Sequence, residues 1–104
     1  MASRAMKPSL RDLLIAVKGD VEADWKNLGR LLGIDENKLK SIQMDNFGDT
    51  SNSLGDMLGQ WTTGKAKTGN LPRDWHTFVQ ALYQAGHEEL AEGLAVKHGV
   101  LLSH

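Results

Sequence analysis

The stretch Asp20-Val21-Glu22-Ala23-Asp24-Trp25-Lys26-Asn27-Leu28-Gly29-Arg30-Leu31-Leu32-Gly33-Ile34 decides how the rest of the chain is read. Val21, Trp25, Leu28 and Leu32 recur at steps of four, three and four, which puts them on one side of a helix. Asp20 suits an N-cap, and Glu22 places a negative charge in the first turn, where the helix dipole favours it. Gly33 stands where a left-handed residue would close the helix, with Ile34 folding back over the last turn. Asp35 is then positioned to cap a second, shorter helix carrying Leu39 and Ile42. Two helices joined by so tight a corner cannot bury their apolar sides on each other alone, so the remaining chain must cover them.

The chain has 104 residues, enough for one domain with a real core but not for two. A content of 40% hydrophobic and 24% charged residues is ordinary for a globular chain. Twelve basic against thirteen acidic residues give a formal charge of −1, so no bulk field draws in nucleic acid or an anionic membrane. The absence of cysteine excludes disulfides and thiolate chemistry and fits a reducing compartment. The opening Met1-Ala2-Ser3-Arg4-Ala5-Met6-Lys7 lacks the apolar run of a signal peptide, and no segment approaches the ~18 apolar residues of a membrane span. The expectation is a cytoplasmic domain over residues 8–98, with a flexible segment at 1–7 and a tail at 99–104.

Outward from the opening stretch, Leu10, Leu13, Leu14 and Val17 mark a preceding amphipathic helix. Ser9 and Asp12 resemble its capping box, Lys18 favours its negative end, and Gly19 is placed to stop it. After Ile42 the text turns polar through Asp45, Asn46, Gly48 and Asp49, a loop leading to a new cap. Leu54, Met57, Leu58 and Trp61 then form a full helical stripe, with Gly55 and Gly59 read as a close approach of two helices. Thr62 to Asn70 reads as an exposed, mobile loop, and Pro72 as a residue of the next helix's first turn. Trp75, Phe78, Val79 and Leu82 face inward on that helix. A last helix from about His87 to Lys97 turns Leu90 and Leu94 inward. The pattern predicts six short helices and no strand. Its core is Trp25, Leu28, Leu32, Leu39, Ile42, Leu58, Trp61, Trp75, Phe78, Leu82, Leu90 and Leu94.

Chemistry needs converging polar groups, and the sequence offers none. His76, His87, His98 and His104 lack metal-ligand spacing and read as surface imidazoles. Gly64-Lys65-Ala66-Lys67-Thr68-Gly69 fails the phosphate-loop pattern in both spacing and context. Each tryptophan falls on the apolar stripe of its helix, where packing explains it better than base or sugar stacking does. The expectation is no catalytic residue, no metal, no cofactor and no enzyme.

At Asp24-Trp25-Lys26-Asn27-Leu28-Gly29-Arg30-Leu31-Leu32-Gly33-Ile34 the chain resembles a death domain. The likeness continues through Leu39 and Ile42, Met57-Leu58 and Trp61, Trp75 to Leu82 before Gly86, and Leu90-Ala91 with Leu94. The resemblance implies an all-α, antiparallel six-helix bundle of Greek-key arrangement, the death fold. It implies a non-enzymatic module that assembles homotypically with other death domains in apoptosis or innate-immune signalling. The close competitor is a caspase-recruitment domain, against which the Asp24-Trp25 pair and the Trp61/Trp75 pair speak. The alternative role is structural or autoinhibitory, within a larger receptor or cytoskeletal protein. Neither nucleic acid nor membrane insertion is expected.

The resemblance also implies three kinds of surface pair. In the first, Lys65 and Lys67 on the loop after Trp61 would meet Glu88, Glu89 and Glu92 at the last corner, beside His87. In the second, Lys38 and Lys40 would meet Asp20, Glu22, Asp45 and Asp49. In the third, Arg11 and Lys18 would face Asp35 and Glu36, with Asp12 and Asp56 blurring the contrast. Opposite signs on one chain favour self-association, with the first pair as its main contact.

Overall fold

The structure is a computed structural model and describes residues 7–17 and 19–102, the side chain of Asp20 excepted. The expectations for residues 1–6, Lys18, His104 and the Asp20 side chain lie outside the described residues. Among the described residues seven helices follow one another: α1 (Leu10–Ala16), α2 (Asp20–Ala23), α3 (Trp25–Leu31), α4 (Glu36–Asp45), α5 (Thr50–Thr63), α6 (Trp75–Gln84) and α7 (Glu88–His98). Among the described residues there is no strand.

The starts of three helices are fixed by short polar side chains that satisfy an otherwise unpaired backbone N–H. Ser9 Oγ accepts from Asp12 N at 3.1 Å, Asp49 Oδ1 from Asn52 N at 2.8 Å, and Asp74 Oδ1 from Thr77 N at 2.8 Å. α7 carries Glu88 and Glu89 at its positive end and Lys97 and His98 at its negative end, in keeping with the helix dipole.

α5 is the hub, packing against α1, α2, α3 and α4, while α6 packs on α7 and α3. Trp61 of α5 is fully buried, and its ring lies 5.7 Å from that of Phe78, which meets Trp75 edge-on at 6.0 Å. Trp25 and Trp75 are 3% and 4% exposed, so all three indoles belong to one core. Truncating such a side chain to alanine costs ~3–5 kcal/mol, because transfer and cavity terms add. Every core residue expected from the sequence is buried except Leu90, which is half-buried. Val100 and Leu102 also pack against this core.

Several local expectations are corrected. The expected helix over Asp20–Leu32 is broken at Asp24, so six helices become seven. Asp24 has φ −108° and ψ 18°, and its N–H turns back to Val21 O at 3.1 Å. In that conformation its carboxylate reaches His87 of the last corner, Oδ2 to Nε2 at 3.2 Å. Gly19, not Asp20, occupies the N-cap of α2. Asp35 holds the N-cap position of α4 but accepts no hydrogen bond there. α1 stops at Ala16, before Gly19, because Val17 turns extended to bury its own side chain. Leu14, expected inward, is 43% exposed.

The Gly55/Gly59 reading also fails. A Cβ on Gly55 would meet nothing within 4 Å, and one on Gly59 only Leu10 Cδ2 at 3.6 Å, ordinary contact. The close approach lies at Gly29, whose Cβ would fall 2.6 Å from Leu39 Cδ2. Pro72 stands before α6, which starts at Trp75 under the Asp74 cap.

Candidate interaction surfaces

The corner between α3 and α4 forms as its sequence predicts. Gly33 N donates to Arg30 O and Ile34 N to Gly29 O, both at 3.0 Å, which is the paired closure of a left-handed helix end. Gly33 has φ +93°, and a Cβ there would lie 2.8 Å from Thr68 O, so both backbone and space demand glycine. Ile34 is buried over the last turn.

What presses on Gly33 is the segment after α5. It is not the loose loop expected over Thr62–Asn70, since the helix runs to Thr63 and the chain beyond is tied down. Ala66 N donates to Gln60 O at 3.1 Å, Arg73 Nη2 to Ala66 O at 2.7 Å, and Thr68 Oγ1 to Leu71 O at 2.9 Å. Ala66 and Thr68 point inward and are buried, so the alternation throws Lys65 and Lys67 outward, both exposed. Two ammonium groups are thus presented by an anchored strap.

The α6–α7 corner closes at Gly86, with His87 N donating to Leu82 O at 3.0 Å. The His87–Asp24 contact pins this corner to the α2–α3 break. Beyond it Glu88, Glu89 and Glu92 are exposed. An open groove separates the corner from the α1–α2 turn, with Ala16, Gly19 and Val21 on one side and Glu88, Glu89 and Leu90 on the other. Strap and corner have different neighbours and opposite charge. Among the described residues the close contacts between side chains of opposite formal sign are Arg30–Glu36 and, where His87 carries a proton, Asp24–His87, so Lys65, Lys67, Glu88 and Glu89 form none.

The other two expected surfaces are less free. Lys40 and Asp45 are exposed, but Lys38 and Glu22 are half-buried, and Asp49 is committed to capping α5. Arg11, Asp12 and Asp35 are exposed. Glu36 is held by Arg30, Nε to Oε1 at 2.7 Å and Nη2 to Oε2 at 3.2 Å. That hydrogen-bonded guanidinium keeps the Glu36 carboxyl below the usual carboxylate range. Asp56 accepts from Asn46 Nδ2 at 3.0 Å and from Gln60 Nε2 at 2.9 Å.

The death-domain family model matches residues 11–97. The chain belongs to the death-domain family. Its helices form the all-α death fold, with the family's second helix split at Asp24. Comparison with curated proteins and with solved structures returned no match. Death domains are protein-interaction modules of death signalling, typically binding other death-fold domains, and not enzymes. Among the described residues no helix of this death domain is long and apolar enough to cross a membrane, and no cluster of three metal-binding side chains occurs.

Two of the histidines are not plain surface groups. His87 is half-buried against Asp24, and His98 stacks on Trp75 with ring centroids 3.7 Å apart. His76 is exposed, as expected.

Part of the surface of this death domain is apolar, which the helical stripes do not signal. Phe47, taken into a polar loop, is 96% exposed, and Met44 is 76% exposed. On α1, Leu14 and Ile15 are exposed and, with Leu10 and Arg11, line a shallow apolar groove. A lone phenylalanine among Asp45, Asn46, Gly48 and Asp49 was the available signal.

Proposed function

We propose that this death domain is a cytoplasmic assembly module that binds other death domains, and copies of itself, in cell-death or innate-immune signalling. Its main charged contact joins the Lys65/Lys67 strap of one copy to the Glu88/Glu89 corner of the next. The supporting observation is that four exposed charges of opposite sign sit on two separate surfaces and form no ion pair within the described chain. Surfaces of that kind join head to tail, and such contacts propagate as a helix when the rotation does not close. Exposed ion pairs are worth ~0–1 kcal/mol each, so the contact needs all four charges and weakens with salt.

The test is charge reversal. Lys65→Glu with Lys67→Glu lowers the weight-average mass seen by light scattering at low salt, and adding Glu88→Lys with Glu89→Lys restores it. An unchanged mass in the first variant, from a wild type that oligomerises, rejects the charged contact.

A further inference from the structure

The chain also exposes two apolar patches made of residues other than the charged ones. The first is a knob at the corner between α4 and α5. Asn46 N donates to Ile42 O, Phe47 N to Met44 O at 3.1 Å, and Gly48 N to Gln43 O at 3.0 Å. This is the same closure as at Gly33, but the left-handed position is filled by Phe47 at φ +53°. Left-handed backbone is an outlier for a bulky side chain, and the Phe47 side chain makes none of the turn's hydrogen bonds, which run from main chain and from Asn46 Nδ2 to Ile42 O at 2.8 Å, so glycine would serve there equally well. The phenyl ring returns nothing to the fold in exchange, being 96% exposed. Met44, one turn earlier on α4, is exposed as well, and so is the adjacent Asp45.

The second surface is the groove on α1. Arg11, Leu14 and Ile15 share a face at helical spacing, with Leu10 at its edge. Leu14 and Ile15 are 43% and 60% exposed, so nothing within the described chain covers them. The Arg11 guanidinium lies on the rim, where it can rest on an aromatic face or meet a carboxylate.

We propose that Phe47 and Met44 of one copy insert into the Leu10–Leu14–Ile15 groove of a second copy, with Arg11 meeting Asp45. The occupant is a second copy because both halves, convex and concave, lie on one chain, and Arg11 on the groove's rim is opposite in charge to the exposed Asp45 next to Met44 in sequence. Knob and groove are different patches, so the contact is head to tail and leaves a free knob and a free groove at its ends. It rests on the reading of the domain as a self-assembling module, but not on the lysine–glutamate contact. Being apolar at its centre, it persists at salt that dissolves the charged contact.

Sedimentation velocity from micromolar to millimolar concentration tests it, in the wild type and in a Lys65→Glu/Lys67→Glu background. Phe47→Gly removes the knob, and Ile15→Lys blocks the groove at a site exposed enough to spare the fold, with circular dichroism checking that both variants stay helical. The expected result is self-association weakened roughly tenfold to a hundredfold in either variant, in both backgrounds. An equimolar mixture of the two then forms a one-to-one dimer, because each supplies what the other lacks. If Phe47→Gly associates as tightly as its parent, or the mixture stays monomeric, or the parent is monomeric throughout, the proposal is overturned. If lysine reversal changes nothing while Phe47→Gly abolishes association, the charged contact fails and this one stands.

Discussion

Two corners of the molecule close by the same hydrogen-bond pattern and put opposite residues at the same position. After α3 the left-handed residue is Gly33, and after α4 it is Phe47. At the first corner the strap presses Thr68 O into the space a side chain would need. At the second the side chain is 96% exposed and touches almost nothing. The contrast separates two kinds of constraint. Gly33 is dictated by backbone and packing together, whereas Phe47 is tolerated by the fold without packing into it.

The largest expected effect breaks the first corner. Gly33→Ala combines the ~1–2 kcal/mol penalty of left-handed backbone with an overlap against main chain that cannot move cheaply, and costs ~2–4 kcal/mol in urea denaturation. A loss under half a kilocalorie would mean the strap is free to lift, and the contrast would dissolve. Next is Phe47→Gly. Relief of the same backbone penalty exceeds the added entropy of the unfolded chain, so stability rises by about 1 kcal/mol. A fall on that scale would show that the ring does serve the fold.

Gly55→Ala sharpens the comparison from within α5, where glycine has open space and an ordinary helical backbone. With nothing for the new methyl to strike, helix propensity alone acts, and stability rises by roughly 0.5–1 kcal/mol. The smallest effect is that of His98. Burial, first, and the nearby Lys97 lower its pKa from 6.5, against the opposing pull of Asp12. A depressed histidine binds fewer protons folded than unfolded, so stability is full above 6.5 and declines as pH falls through the lower, folded value. His98→Phe, which keeps a ring on Trp75, flattens the melting-temperature slope in that window, and Phe47→Gly leaves the slope as it was.

Much of this was legible in advance. The stripe from Val21 to Leu32 and the Gly33–Ile34 closure follow from residues a few positions apart, which meet whatever the rest of the chain does. The Ser9 cap is equally local. The charged surface residues were legible as charges, and Lys65, Lys67, Glu88 and Glu89 are all exposed. Beyond local misreadings such as the Asp35 cap and the place of Pro72, what failed depended on the packed surroundings. Asp24 breaks a good helical pattern in reaching His87, sixty-three positions along the chain. The strap looked loose because Ala66 and Thr68 are small or polar, and only their packing and the bond from Arg73 reveal an anchored segment. Gly55 and Gly59 were given a packing role by their spacing alone, and their surroundings refuse it.

The sequence by itself determined that the chain is helical and that three indoles lie inside it, because amphipathic periodicity and capping are short-range physics; its place among death domains came from the likeness of its residues to that family. Tertiary structure alone decided which glycine is indispensable, which loop is fixed, and that Phe47 stands clear of its own fold. Burial is a property of the whole packed chain, and no local pattern states what will or will not arrive to cover a side chain.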